Sequence, residues 1–298
     1  MKRVVKIGTR GSLLALAQAE HVQKKLLEGG TESQLVVINT SGDRFQDKRL
    51  ADIGGKALFT KEIERSLLQG HIDMAVHSMK DVETRRPVGL RIAAILKRSD
   101  PRDAFLSSLY PTLESLVPGV RVGTCSPRRA AQVLAYQPKA DIVLFRGNIH
   151  TRLKKLKKGE VDVTFLALAG LKRVFLEQEV TQVLDPEIML PAAGQGAIGV
   201  ECLTSREDLT PLLSPLSDVQ TEQCLGIERC FLSFLEGDCH TPVGALAIEE
   251  DKNRFFLRTF VSSEDGRRLM KKQLRGSYSD LMKEAEVLGK EAREWFLS

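Results

Sequence analysis

The sequence predicts an α/β protein: two α/β lobes of similar size, followed by a small C-terminal α+β domain. Strand-like and helix-like segments alternate through the first two thirds of the chain, which indicates mostly parallel sheets covered by helices. The punctuation Ser99-Asp100-Pro101 marks a crossover, after which the same alternation restarts. From about Ser217 the pattern changes to a helix, three strands and a final helix. The two successive α/β units, before and after this crossover, predict two lobes with a cleft between them.

In the first lobe, the predicted elements are bounded by residues that cap or end them. Ser12 suits the N-cap of a helix whose periodic run reaches Leu27, and Gly29-Gly30 ends it. A second helix is predicted over 56–68 and stops at Gly70. The predicted strands of this part are 3–8, 34–39, 72–77 and 90–96.

The second lobe and the third domain are predicted in the same way. Pro127 suits the first position of a helix, and Ser217 with Gln220 resembles the capping box of another. Two more helices begin near Ile149 and Ser279. The remaining predictions are a turn at 170–172 and strands at 120–123, 142–145, 163–168, 197–201, 243–248, 255–261 and 269–274. The fourth of these strands is expected to return to the first lobe. The predicted divisions are 1–98 with 196–215 for the first lobe, 99–195 for the second and 216–298 for the third domain.

Composition excludes several classes of protein. The chain has 298 residues, of which 42% are hydrophobic and 28% charged, as in ordinary globular proteins of two or three domains. No apolar run approaches the ~18 residues of a membrane span, so no membrane partner is expected. The net charge of +5 argues weakly for an anionic ligand. Nucleic acid is not expected as a partner, because only 5% of the residues are aromatic and the basic charge is not dense.

The cysteines predict neither a metal site nor a disulfide framework. They lie at 125, 202, 224, 230 and 239, which is an odd number, and no two are spaced as CxxC. At least one thiol is therefore free, which fits a reducing compartment. The apolar stretch 12–19 imitates a signal peptide only loosely, because it is short and Arg10 borders it. The predicted location is the cytoplasm.

Basic residues recur where predicted strands end and helices begin, which is where open α/β sheets bind ligands. Arg128 and Arg129 are the most informative, because they lie in the first turn of a predicted helix. Cations there face the positive end of the helix dipole, at a cost of ~0.3–1 kcal/mol each, unless an anion lies opposite. Several arginines indicate several carboxylates on that anion. The alternative is a solvated surface pair with local salt bridges.

Asp81 and Cys239 are further candidates for chemistry. Asp81 stands among cations after a buried-type strand, where an ionised carboxylate can stabilise developing positive charge or take part in proton transfer. The alternative is a helix cap. Cys239 lies in a loop between a helix and a strand, so its thiol is a candidate nucleophile or attachment point. The alternative for Cys239 is an inert free thiol.

Long motifs in a fixed order resemble the porphobilinogen deaminase family over almost the whole chain. They are KIGTRGSLLALAQA (6–19), IGGKALFTKEIE (53–64), DMAVHSMKDV (73–82), DPRDAF (100–105), VGTCSPRRAAQ (122–132), FRGNIHTRL (145–153), LALAGLKR (166–173), LPAAGQGAIGVE (190–201) and LEGDCHTPVGA (235–245). The resemblance implies two periplasmic-binding-protein-like lobes and a small third domain. It also implies a transferase that joins four porphobilinogen molecules head to tail, releases ammonia and yields hydroxymethylbilane for tetrapyrrole biosynthesis.

The resemblance implies a role for individual residues. The family's cofactor is a dipyrromethane held through a thioether by a loop cysteine, which Cys239 matches. Asp81 matches the catalytic aspartate, whose carboxylate binds pyrrole N–H groups and stabilises positive charge as an electrophilic azafulvene forms and is attacked. The positions that match cofactor-binding residues are Lys80, Thr124, Ser126, Arg128, Arg129 and Gly147. The positions that match substrate-binding residues are Arg10, Ser12, Lys56, Phe59, Arg146, Arg152, Arg173 and Gln195. Porphobilinogen is the expected partner, no metal is expected, and the protein is expected to be a monomer.

The chain departs from the family's pattern at three positions. Asp238 precedes the cysteine where many members have glycine, and Asp52 stands where some members have lysine. Cys125 replaces a serine that is common in the family. None of these changes removes a residue to which the resemblance gives an essential role.

The competing hypothesis is a two-lobed anion-binding receptor or sensor module without catalysis. The first two thirds of the chain permit it, because a fold by itself does not fix function. The sequence shows neither a clear signal peptide nor a DNA-binding segment, and the third domain would have no purpose in such a receptor.

Overall fold

The computed structural model describes residues 4–41, 60–236 and 241–297. Its strands are β1 (Val5–Thr9), β2 (Ser33–Val37), β3 (Met74–Ser78), β4 (Leu90–Ile95), β5 (Asp103–Ser107), β6 (Arg121–Gly123), β7 (Asp141–Val143), β8 (Val163–Ala167), β9 (Gln182–Val183), β10 (Ile198–Leu203), β11 (Val243–Asp251), β12 (Arg254–Ser262) and β13 (Leu269–Gly276). Its α-helices are α1 (Leu13–Glu28), α2 (Lys61–Leu68), α3 (Pro127–Tyr136), α4 (Ile149–Lys157), α5 (Leu168–Arg173), α6 (Thr210–Leu213), α7 (Val219–Leu235) and α8 (Tyr278–Leu297). Within this described part, the strands form two five-stranded sheets and one three-stranded sheet. The predicted fold class, two α/β lobes and a small α+β domain, is confirmed.

The first sheet has the strand order β2-β1-β3-β10-β4. β1 pairs in parallel with β2 and β3, whereas β10 is antiparallel to both β3 and β4. The predicted mostly parallel sheet is therefore mixed, because β10 runs against its neighbours. The helix α1 buries Ala19, Val22 and Leu26 against this sheet.

The second sheet repeats the arrangement with the order β7-β6-β8-β5-β9. β6 is parallel to β7 and β8, while β5 is antiparallel to β8 and β9. β5 was not predicted from the sequence, because Asp100, Arg102 and Asp103 precede only three apolar residues. Those three, Ala104, Phe105 and Leu106, are completely buried in the structure.

The reversed strand of each sheet follows from the way the chain crosses between the lobes. β4 leads directly into β5, and β9 leads into β10. Each crossover enters a sheet at the end where its parallel strands finish. The strand that begins there therefore runs antiparallel to those strands. The two crossovers lie side by side, because the Leu96 N–H donates to the Ile198 carbonyl and the Ser99 N–H to the Gly196 carbonyl.

The third domain packs two helices on one face of the antiparallel sheet β11-β12-β13. α7 and α8 meet at Gly289, where a Cβ atom would lie 2.6 Å from the carbonyl oxygen of Phe231. Glycine is needed at this crossing because the helix backbones approach so closely. The opposite face of the sheet contacts the second lobe, where Leu246 and Phe260 pack with Leu190.

The start of α7 differs from the prediction. Its N-cap is Asp218, whose carboxylate accepts a hydrogen bond from the Thr221 N–H at 2.9 Å. The capping box predicted at Ser217 was therefore wrong. The Ser217 hydroxyl instead accepts a hydrogen bond from the Ile95 N–H of β4, at 3.3 Å. A contact with another strand has replaced the local contact that the sequence pattern indicated.

Two other local predictions are also modified. The segment 170–172, predicted as a turn, lies inside the short helix α5. The helix predicted over 56–68 is helical over Lys61–Leu68, and 56–59 lie outside the described residues. The residue numbers at which the lobes divide stay a prediction.

Candidate active site

A cavity of about 680 Å³ opens between the two lobes. One wall contains the start of α1 and the turn that follows β3. The facing wall contains the starts of α3 and α4, and Ala192 and Gln195 of the second crossover close the space between the walls. The cavity therefore lies where parallel strands end, which is the predicted location for a ligand.

Three capped helix N-termini border this cavity. Ser12 caps α1 by accepting from the Ala15 N–H, at 3.3 Å. Ser126 caps α3 by accepting from the Arg129 N–H at 3.4 Å, and Asn148 caps α4 by accepting from the Thr151 N–H at 2.9 Å. Helix N-termini carry partial positive charge and unpaired N–H groups, so their convergence favours an anionic ligand.

The charged side chains around the cavity are mostly cationic. The cations among the lining residues that the structure describes are Arg10, Lys80, Arg128, Arg129, Arg146 and Arg152. Asp81 is the one carboxylate in that described lining. A concave site with six cations and one carboxylate is suited to an anion that carries several carboxylates.

Arg128 and Arg129 are buried and share a partner inside the protein. Asp103 of β5 accepts a hydrogen bond from each guanidinium at 2.7 Å, and Gln195 donates to the same carboxylate at 3.1 Å. The two arginines are 5% and 6% exposed, so the alternative of a solvated surface pair was wrong. Burial alone would raise the pKa of Asp103, but the two guanidinium groups outweigh it and hold that pKa below its ordinary range.

Lys80 reaches the same network from the other lobe. Its ammonium donates to the Gln195 side-chain oxygen at 3.4 Å, and Gln195 is completely buried. The side chain is accessible to water inside the cavity but protein surrounds it on several sides. This desolvation lowers the pKa of Lys80 to about 8; nearby Asp81 opposes the shift, and Arg129 adds to it.

Arg152 shapes the loop that begins α4. Its Nε donates to the Gly147 carbonyl at 2.9 Å, and one terminal nitrogen lies 3.7 Å from the Cys125 sulfur. Gly147 has φ +123°, and a Cβ there would lie 2.7 Å from the Thr151 side chain. Glycine is therefore required at this position. Burial lowers the pKa of Arg152 from its ordinary value.

Asp81 ends a 3₁₀ turn, Met79–Asp81, that continues directly from β3. The Met79 N–H donates to the Ala197 carbonyl of the second crossover, at 3.0 Å, and the Met79 side chain is buried. The Asp81 side chain is exposed and borders the cavity. A buried strand and a buried methionine thus present a carboxylate to the space between the lobes.

The structure brings most of the predicted site residues to one cavity. Those that line it are Arg10, Ser12, Lys80, Asp81, Ser126, Arg128, Arg129, Arg146, Gly147, Arg152 and Gln195. Thr124 lies behind this set, where its hydroxyl accepts from the Ser126 N–H at 3.1 Å. Lys56, Phe59 and Cys239 lie outside the described residues. The roles assigned to all of these residues stay predictions.

Arg173 lies against the crossovers and is not among the lining residues. Its guanidinium donates to the Ser99 hydroxyl at 3.2 Å and to the Gly196 carbonyl at 2.6 Å. Burial lowers its pKa to about 10. In this conformation Arg173 ties α5 of the second lobe to both crossovers.

Three polar residues that organise the site were not predicted from the sequence. Asp103 gave no clear signal, because its arginine partners lie about 25 residues away in the chain. Asn148 is a favourable N-cap type, so its position before α4 was a usable signal. Glu228 lies within a helix and gave no signal, because its partners are distant in the chain.

Two family models match the chain. The model described as "Porphobilinogen deaminase, dipyromethane cofactor binding domain" matches residues 5–211. The model described as "Porphobilinogen deaminase, C-terminal domain" matches residues 222–298. Together they span nearly the whole chain, including both lobes and the third domain.

A curated relative supports the same family. The chain is 45% identical over 296 residues to the chloroplastic porphobilinogen deaminase of Oryza sativa subsp. japonica, covering 97% of this chain and 82% of that protein. Among solved structures, an ABC transporter periplasmic substrate-binding protein from Coxiella burnetii gives a TM-score of 0.45 at 14% identity, over 72% of this chain and 91% of that one. The periplasmic VFT2 domain of Bordetella pertussis BvgS gives 0.42 at 15% identity, over 70% and 85%. Structural likenesses this distant carry no argument. The family models and the sequence identity, however, place the chain in the porphobilinogen deaminase family.

Proposed function

We propose that this chain joins four porphobilinogen molecules head to tail, with release of ammonia at each addition, and yields hydroxymethylbilane for tetrapyrrole biosynthesis. Membership of the porphobilinogen deaminase family supports this reaction. The structural observation that carries it is the cavity that six cations and the carboxylate of Asp81 line together. Membership of this family does not favour the alternative hypothesis from the sequence, an anion receptor without catalysis.

The cavity also fits the family's dipyrromethane cofactor. Each pyrrole of that group carries an acetate and a propionate, and the cavity offers cations and helix N-termini from both lobes. Arg129 has a buried Nε with no hydrogen-bond partner among the described residues, which leaves one donor of the site unused. Bound through Cys239, the cofactor supplies the terminal pyrrole carbon to which the first substrate is joined. We assign its carboxylates to Lys80, Ser126, Arg128 and Arg129.

The cationic side chains bind and orient the substrate. Arg10 and Ser12 on the first lobe, with Arg146 and Arg152 on the second, lie on opposite walls of the cavity. When both walls bind the substrate's carboxylates, the porphobilinogen ring is held in one orientation. This lowers the entropy cost of reaching the transition state. The walls also reduce the water around the reacting atoms, so the electrostatic interactions there become stronger.

Asp81 acts on the reacting ring. Its carboxylate accepts hydrogen bonds from pyrrole N–H groups of the substrate, and it stabilises the positive charge that develops as ammonia leaves. The same carboxylate is positioned to receive the proton that the ring loses after carbon–carbon bond formation.

Porphobilinogen is the proposed partner of a cytoplasmic monomer. None of the helices in the described ranges is long and apolar enough to cross a bilayer. The four cysteines that the structure describes are free thiols, which fits a reducing compartment. Light scattering after size exclusion, at micromolar concentration, tests the monomer.

The first experiment is the intact mass of the denatured protein, wild type beside Cys239→Ser. A two-pyrrole adduct on the wild type alone supports the cofactor and its anchor. An unmodified wild type that stays unmodified after incubation with porphobilinogen favours the receptor alternative. Turnover by Asp81→Asn then tests the carboxylate, with Asp141→Asn, an exposed aspartate at the start of β7, as its matched control. We expect Asp81→Asn to fold, keep the cofactor and lose most turnover, and near-normal turnover would contradict the assignment.

A further inference from the structure

The helix α7 of the third domain contacts the Asp81 turn of the first lobe. Arg229 on this helix donates from one terminal nitrogen to the Val82 carbonyl at 2.9 Å and from the other to the Glu83 carbonyl. These are the two carbonyl groups that directly follow Asp81 in the chain. A planar guanidinium that bridges successive carbonyls restrains the backbone between them.

Arg229 makes this contact without a carboxylate partner. None of the ion pairs among the described residues includes it. Burial lowers its pKa to about 10, and nearby Arg86 adds to that shift while Glu228 opposes it. The contact supplies two hydrogen bonds to neutral carbonyl groups and no ion pair. Its specific contribution is therefore geometric: it fixes the chain where the turn ends.

Apolar packing supports the same contact. Leu225, which precedes Arg229 by one helical turn, is completely buried. It packs in one cluster with Met79 and Val82, the residues on either side of Lys80 and Asp81. One face of α7 thus holds the turn in two ways. Leu225 packs against its apolar side chains, and the Arg229 side chain donates hydrogen bonds to the backbone carbonyl groups that follow it.

Glu228, the neighbour of Arg229, binds the crossover segment that contacts the beginning of the same turn. Its buried carboxylate accepts from the Gly194 N–H of the second crossover at 2.7 Å, and from Arg98 of the first crossover at 2.5 Å. Gly194 has φ +72°, and a Cβ there would lie only 3.0 Å from the backbone carbon of Met79. The crossover segment that Glu228 binds therefore packs closely against the backbone before Asp81.

We propose that Arg229 is a positioning residue for Asp81, acting from a different domain by fixing the backbone that follows the turn. The proposal rests on the proposed function, because it takes Asp81 as the carboxylate that acts on the substrate. It also assigns a task to α7: the helix contacts the Asp81 turn and ends at Leu235, four residues before Cys239 in the sequence.

The test compares Arg229→Met with Arg85→Met. Arg85 joins the same two parts of the molecule through Glu236 at 3.1 Å, but its side chain is 82% exposed and donates to no backbone group near Asp81. Displacing a catalytic group by about 1 Å costs on the order of 100-fold in rate. We expect Arg229→Met to lower kcat roughly 10–100-fold, with KM for porphobilinogen within about threefold of wild type. Arg85→Met keeps the wild-type kcat. Both variants carry the two-pyrrole adduct by intact mass and are assayed at a temperature where circular dichroism shows them folded.

Each outcome decides the proposal. Wild-type kcat in folded Arg229→Met overturns it, and so does a loss that comes from raised KM, from missing cofactor or equally from Arg85→Met. If Arg229→Met does not fold, Arg229→Lys, which keeps the charge but not the paired donors, decides by the same kcat and KM comparison. Failure of the proposed function is seen separately, as a cofactor-loaded wild type without porphobilinogen turnover.

Discussion

Asp103→Asn removes the internal counterion of the cavity's arginine pair while preserving side-chain size. In the wild type, the carboxylate is completely buried and accepts from Arg128, Arg129 and Gln195 at 2.7, 2.7 and 3.1 Å. Asparagine keeps one acceptor oxygen but turns an amide N–H₂ group toward the other guanidinium. A donor then faces a donor in a buried place, and two cations lose their shared anion.

The burial of Asp103 and its two charged partners set the expected loss in the free energy of unfolding. A hydrogen bond to a charged group contributes about 1.5–3 kcal/mol, and removing one partner of a buried ion pair costs about 3–5 kcal/mol. These figures overlap, because they describe the same interaction, so we expect the free energy of unfolding to fall by about 3–5 kcal/mol. That is a large part of the ~5–15 kcal/mol that stabilises a typical domain.

The pH dependence identifies the cause. The two arginines hold the pKa of Asp103 below its ordinary value, so the carboxylate stabilises the fold above the pKa of the unfolded chain. That contribution is lost as the pH falls through the lower pKa of the folded state. The difference between wild type and Asp103→Asn is therefore full near about pH 7 and shrinks as the pH falls below about 4.

Urea denaturation, with hydrogen exchange of β5 and β8 as the local readout, measures this difference. Asp162→Asn is the matched control, because Asp162 pairs at 2.6 Å with Arg121, which is 45% exposed. The control is expected to shift the midpoint much less. A loss in Asp103→Asn no larger than in the control, or a difference that stays constant as the pH falls toward about 3, would refute the reasoning.

Three other predictions concern single residues. Since the pKa of Lys80 lies at about 8, kcat/KM for porphobilinogen falls above that pH as the ammonium loses its charge. Lys80→Arg moves this fall to higher pH, and a pH profile identical to wild type would contradict the charge's role. Phe175 has φ +56° and is 82% exposed, so Phe175→Gly raises the free energy of unfolding by about 1 kcal/mol; a lower urea midpoint would be inconsistent with relieved strain. Asp218→Ala removes the N-cap of α7, so it lowers the free energy of unfolding by about 1 kcal/mol and speeds hydrogen exchange of the Thr221 N–H; Ser217→Ala, which loses the bond from Ile95 but leaves the cap intact, does not speed that exchange, and equal acceleration in the two variants would disprove the cap assignment.

Local features of the site could be predicted from the sequence because they depend on neighbours in the chain. Ser12 and Ser126 are small polar residues immediately before periodic helical segments, and both are N-caps in the structure. Cations placed after strands that run in parallel must converge at one edge, so the cationic cavity between the lobes was also predictable. The order of the motifs indicated the family before any contact was known.

Other features could not be predicted, because they depend on which distant segments become neighbours. The arginine pair at the start of α3 indicated an anion, but only the insertion of β5 beside β8 places the Asp103 carboxylate against it. The capping pattern at Ser217 was equally local, and a hydrogen bond from β4 took its hydroxyl instead.

The sequence by itself determined most of the strand and helix alternation, the caps of α1 and α3, and the positive charge of the site. Each of these properties comes from residue type and spacing along the chain. Only the tertiary structure decided which strands run in reverse, which carboxylate neutralises Arg128 and Arg129, and which helix holds the backbone beside Asp81. Those choices depend on how the two crossovers and the third domain pack together, since a buried charge is stabilised by the groups that packing places beside it and not by its neighbours in sequence.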